Sequence, residues 1–137
     1  FRSSKFLAFK LLAYRVFKKG SPIFKIIKFA SLSLNNHFKE LDTHLEGKVW
    51  IDGENFSLAD ITWMVLFHRL SEVYLIDYFF DNKNNLKNYF ERLKKRDSYQ
   101  SALLDYTSDE IRAGKANLAF ELENNKTLIS YYQTIKL

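Results

Sequence analysis

Cysteine is absent from this 137-residue chain, proline occurs once and glycine four times, and each shortage removes a class of protein. Without Cys there is no disulfide framework, no thiolate nucleophile and no Cys-based zinc site. A reducing setting fits this, and a cytoplasmic location is expected. So little Gly and Pro leaves too few turns for a sandwich or barrel of many short strands. Long apolar runs are missing as well. The longest nearly apolar stretch, Ile61 to Phe67, falls far short of the roughly 20 residues of a bilayer span, so no transmembrane segment is expected.

What is present is core material. With 47% hydrophobic and 17% aromatic residues, a chain of this length can bury one real core. Leu, Lys, Glu, Phe and Asn in long unpunctuated stretches suit helices, and the expected fold class is all-α. The net charge of +5 is uneven: Arg2, Lys5, Lys10, Arg15, Lys18, Lys19, Lys25 and Lys28 all precede the first acid, Glu40, leaving 13 basic against 16 acidic side chains after Lys28. Such a segment suits a solvated helix face, an anionic ligand, an anionic lipid or nucleic acid. Nucleic acid is not the expected partner, because no base-reading motif or sheet of stacking aromatics accompanies the charge. Phe1 is not an initiator Met, and the chain is expected to begin inside a longer protein.

Along the chain, a first helix is expected over about residues 3–19. Its apolar residues, including Phe6, Phe9, Leu12 and Phe17, spread around most of the circumference, which calls for neighbours on several sides. Gly20 closes it, and Ser21-Pro22 supplies a cap and first-turn pair for the next helix. In that second helix Ile23, Ile26, Ile27, Ala30, Leu34, Phe38, Leu41 and Leu45 step by three and four, marking one buried face that ends before Gly47. Residues 48–56, with the turn pair Asp52-Gly53, read as an ordered loop. Ser57-Leu58-Ala59-Asp60 has the form of a capping box, with Asp60 reaching back to the N–H of Ser57. Phe56 and Ile61 stand at the spacing of a hydrophobic staple.

The helix so begun, to about Leu70, is apolar on every side and is expected in the middle of the domain. Residues 78–85 read as a loop. Leu86, Tyr89, Phe90 and Leu93 then give a short helical stripe, and one or two further turns run from Asp97 or Ser98 to about Leu104. Thr107 with Glu110 is a second capping-box candidate, opening a helix with Ile111, Leu118 and Leu122.

A long helix ending H-F-K-E-L-D-T-H-L, a loop V-W-I-D-G-E-N, then F-S-L-A-D-I, then N-L-K-N-Y-F-E-R-L-K-K-R-D-S-Y-Q-S-A-L resembles, in order and spacing, the C-terminal all-helical domain of glutathione S-transferases. F-H-R-L at Phe67 to Leu70 is similar to the ganglioside-induced differentiation-associated branch, whose C-terminal hydrophobic anchor is absent here. The resemblance implies a helical bundle over residues 1–123 and leaves 124–137 as a tail of unassigned structure. In the family an N-terminal thioredoxin-like domain, not matched by any part of this chain, holds glutathione through a thiol-activating Tyr, Ser or Cys and a cis-Pro loop. Pro22 cannot supply that loop, since it stands at a helix start.

The resemblance therefore implies no catalytic residue in this chain and a transferase only where the parent protein carries the upstream domain. It further implies glutathione as co-substrate, a homodimer, and an acceptor pocket for a small apolar electrophile. Phe9, Tyr14, Trp63 and Phe67 are the candidate lining residues, with core packing or a dimer contact as the plainer reading of each. The alternative function is a non-catalytic interaction or regulatory module of the same fold. No metal is expected: His37 and His44 lie about two helical turns apart without an intervening ligand. His68, beside Arg69 and Glu72, reads as a partly buried polar contact rather than a general base, because no nucleophile stands at a useful spacing.

Overall fold

The computed structural model describes residues 22–135. The expected first helix, with Phe9 and Tyr14, lies outside them. Every named element is helical, in keeping with the all-α expectation. Helix α1 is Pro22–His44, α2 Leu58–Glu72, α3 Ile76–Phe79, α4 Asn84–Lys94, α5 Asp97–Tyr99, α6 Asp109–Asn124 and α7 Lys126–Ile135. A π-helical turn, Gln100–Leu104, continues α5, with the N–H of Asp105 reaching Gln100 O at 3.0 Å in the wide i to i+5 pattern.

The core forms where three apolar faces meet. Phe38, Leu41 and Leu45 come from α1 and its end, Met64 and Phe67 from α2, and Leu86, Tyr89, Phe90 and Leu93 from α4, all buried. Phe79 and Phe80, expected in a loop, are 2% and 3% exposed and close the core from α3. Their run of aromatics lacked enough length to show a helical period, but one turn suffices to drive both rings inward. The ring of Phe67 is ringed by Phe38, Trp63, Phe80 and Phe90 at centroid distances of 5.6, 5.6, 4.9 and 5.5 Å. Most of these contacts are edge-to-face, the arrangement the ring quadrupoles favour.

Two expectations about buried faces are corrected. The stripe on α1 is buried only from Phe38 on, with Leu34 half-buried, whereas Ile26 and Phe29 are 66% and 75% exposed. Helix α2 is not enclosed on every side: Leu58, Ile61 and Val65 share one exposed face, because α1 and α4 pack on the face that carries Met64 and Phe67. No described element lies over either exposed strip.

Helix ends follow their local chemistry. Gly47 and Gly53 adopt φ of +70° and +78° in the turns after α1 and inside the 48–56 loop, a region open to Gly at little steric cost. The cap of α6 is Ser108, whose Oγ accepts from the N–H of Ile111. Thr107, the expected cap, instead donates its hydroxyl to Leu103 O at 2.7 Å, closing the preceding turn. Residues 126–135, unassigned from sequence, form α7, tied by the Tyr132 hydroxyl to Val73 O at the end of α2.

Candidate functional site

The N-terminus of α2 gathers the most densely bonded polar group of the described chain. Asp60 has no exposed surface. Its Oδ2 accepts from the Ser57 N–H at 2.7 Å and the Ser57 hydroxyl at 3.0 Å, and its Oδ1 from the Ile51 N–H at 3.0 Å and the Tyr89 hydroxyl at 2.7 Å. Burial pushes this carboxyl up, but the bonds from Ile51, Tyr89 and Ser57 outweigh it and hold the group below its usual value. The Tyr89 hydroxyl is pushed far up by burial and by the Asp60 charge it faces. Sequence spacing pointed to the Ser57–Asp60 pair. The bonds to Ile51 and Tyr89, which make Asp60 a junction of the loop, α2 and α4, lay outside any local pattern.

The loop is fixed by four further sets of contacts. Trp50 and Gly53 exchange backbone bonds of 2.7 and 3.1 Å. His44 Nε2 stands 2.8 Å from Ile51 O, so that nitrogen carries the donated hydrogen. Arg92 on α4 donates Nε to Val49 O at 3.2 Å, and Nη2 to Val49 O at 3.0 Å and Lys48 O at 3.3 Å. The Arg96 guanidinium lies 3.6 Å from the Phe56 ring centroid and 5.4 Å from Trp50, while Phe56 and Trp50 meet edge-to-face at 5.1 Å. Phe56 is thus half-buried between cation and indole, and Ile61 is 40% exposed.

Beside this locked loop an open cleft of about 540 Å³ runs between α1 and α2, lined by His37, Glu40, Leu41, His44 and Trp63. Leu41 and the half-buried Trp63 give it an apolar floor, and the two imidazoles and Glu40 a polar rim. Of the two described pocket candidates, Trp63 reaches this cleft. Phe67 is enclosed in the core and stands directly behind the Trp63 ring. Among the described residues no group of His, Cys, Asp and Glu side chains could hold a metal ion. Nor are the hydroxyls of Tyr89, Tyr99 and Tyr132 free to act on a thiol, being engaged with Asp60, His68 and Val73 O. The described residues therefore offer an apolar binding surface rimmed by two imidazoles and a carboxylate.

An all-helical module whose central helix starts on a buried carboxylate that clamps the preceding loop is the class of domain that fold and site define. No protein-family model and no solved structure matches the chain. Curated relatives do. Over 73 residues, 53% of this chain and 29% of the relative, it is 38% identical to the tetrachloro-p-hydroquinone reductive dehalogenase of Sphingobium chlorophenolicum. Over 67 residues, 49% of this chain and 25% of the relative, it is 31% identical to glutathione S-transferase TCHQD of Arabidopsis thaliana. Over about half its length the chain is thus similar to two glutathione S-transferase family proteins, and its described residues have an all-α fold like that of the family's C-terminal domain. Each match spans less than a third of the relative's length.

Proposed function

We propose that this chain is the C-terminal helical domain of a cytoplasmic, dimeric glutathione transferase-like protein, and that it supplies the apolar wall against which an electrophile meets glutathione held by an N-terminal domain. The supporting observation is the pairing of a loop locked on Asp60 with an apolar cleft floored by Trp63. It provides a rigid surface for an apolar acceptor. Trp63 is the ligand-facing aromatic and Phe67 backs it, while Phe9 and Tyr14, candidates from the sequence, lie outside the described residues. Ser57 and Asp60 form the capping box that fixes the entry of α2, with Phe56 and Ile61 at staple spacing on either side of it. Lowering the thiol pKa then falls to the upstream domain, and orienting the acceptor falls to this one.

The test is calorimetric titration of reduced glutathione into the full-length protein, followed by a conjugation assay with a small chlorinated nitroaromatic electrophile. Micromolar to low millimolar binding with turnover, weakened in Trp63→Ala, supports the reading. Absence of binding removes it and leaves the second reading, a non-catalytic docking module. The exposed apolar faces of α1, at Ile26 and Phe29, and of α2, at Leu58, Ile61 and Val65, favour that alternative.

A further inference from the structure

Among the described residues His68 is the one buried histidine. Its Nδ1 stands 2.8 Å from the Tyr99 hydroxyl and its Nε2 3.4 Å from Glu72 Oε1. In the tautomer that suits both neighbours, Tyr99 O–H donates to Nδ1 and the hydrogen on Nε2 faces Glu72. That second contact is half made, since neither Nε2 nor Oε1 has a hydrogen-bond partner. The charged and titratable groups around the ring come from every element packed on it: Glu72 and Arg69 on α2, Tyr99 on α5 and Lys115 on α6, with Glu91 on α4 facing Tyr99. Burial holds the imidazole below its ordinary value. Glu72 pulls it up, and Arg69 and Lys115 push it down.

The next turn of chain anchors both terminal helices. Val73 O accepts the Tyr132 hydroxyl of α7, and the Tyr74 ring lies 5.7 Å from the Lys115 ammonium of α6. Tyr74 does this in a left-handed conformation, φ +57°. Helix α6 itself has no buried residue; its other packing is on α7, which rests in turn on α1.

We propose that the C-terminal turn of α2 is an acid-operated latch, in which uncharged His68 keeps α6 and α7 seated and protonation of the ring releases them. An imidazolium carries hydrogen on both nitrogens, so Tyr99 O–H can no longer donate to Nδ1 and must turn its proton away. The new cation also closes on Glu72, drawing that carboxylate from Arg69, to which it is bonded at 2.7 Å, and it repels Lys115. Each movement strains the Val73–Tyr74 turn on which the terminal helices rest. The direction is set by linkage: a histidine lowered on folding keeps its contribution above its unfolded value, about 6.5, and loses it as pH falls towards the folded one.

The experiment is amide hydrogen exchange on the full-length protein, corrected for intrinsic rate, compared between about pH 7.5 and about pH 5.5, the range histidine spans. Amides of residues 109–135 should open about fivefold more readily at the lower pH, what the loss of one net hydrogen bond is worth, while amides of α4 stay protected. His68→Gln, which retains an acceptor for Tyr99 and does not titrate, should abolish that dependence. An equal response in α4 and in residues 109–135 would overturn the proposal, as would an undiminished dependence in His68→Gln. Should that variant fail to fold, the wild-type His68 ring titration followed by NMR decides: its midpoint must coincide with that of opening in residues 109–135, and separate midpoints sink the latch.

Discussion

Asp60 shows how much one side chain carries. Removing its carboxylate leaves the N–H groups of Ser57 and Ile51 and the Tyr89 hydroxyl without an acceptor in a buried place. Asp60→Ala is therefore expected to cost about 3 kcal/mol, lowering the melting temperature by roughly 10 °C, as a thermal melt would show. Because folding lowers this carboxyl, its contribution is complete above its unfolded value, about 4, and drains away as pH falls through the folded one. Melts from neutral pH down to about pH 3 should show that loss in the wild type and a flatter profile in Asp60→Asn. Capping spacing alone made this residue visible in the sequence, and only as the partner of Ser57. Lys83 illustrates what local pattern hides: a lysine in a polar run, it is 6% exposed and donates to Asn35 Oδ1 on α1 at 2.9 Å.

At the scale of elements, α4 was the most legible, since Leu86, Tyr89, Phe90 and Leu93 step by three and four and all four are buried. Its start was not legible. The N–H of Leu86 is satisfied at 2.8 Å by Asp42 Oδ1, 44 residues earlier on α1, and Asp42 O also accepts from Asn85 Nδ2 at 3.0 Å. Losing this cap borrowed from another helix should cost about 1 kcal/mol in Asp42→Ala, measured by urea unfolding with unchanged m. The turn before α4 holds Asn82 at φ +56°. Asn tolerates that conformation and a β-branched residue does not. Asn82→Val should therefore destabilise by about 1–2 kcal/mol, whereas Asn82→Gly should be close to neutral, a contrast the same unfolding curves test. Ser108, one residue beyond the Thr107 expected from sequence, is the cap of α6. The preceding π-turn decided between them by using the Thr107 hydroxyl at Leu103 O.

Across the whole molecule the two candidate aromatics on α2 separate by depth. Phe67 is the shared centre of the aromatic core, and Phe67→Ala should cost about 3–5 kcal/mol, enough to abolish the cooperative melt. Trp63→Ala removes a half-buried ring at the edge of the core. It should cost less stability and weaken acceptor binding more, so circular dichroism and the conjugation assay together tell a core role from a ligand-facing one.

Composition and periodicity determined the helical class and the buried face of α4, because these depend on residues within a turn or two of each other. The order of motifs, F-S-L-A-D after V-W-I-D-G-E-N, carried the resemblance to glutathione S-transferases. Tertiary structure decided the rest. It chose which side of α1 and α2 lies against neighbours, bound Asp60 to Ile51 and Tyr89, lent Asp42 to another helix, and set His68 against Tyr99. Each of those contacts joins groups far apart in the chain, and only the packing of the helices brings such groups within bonding distance.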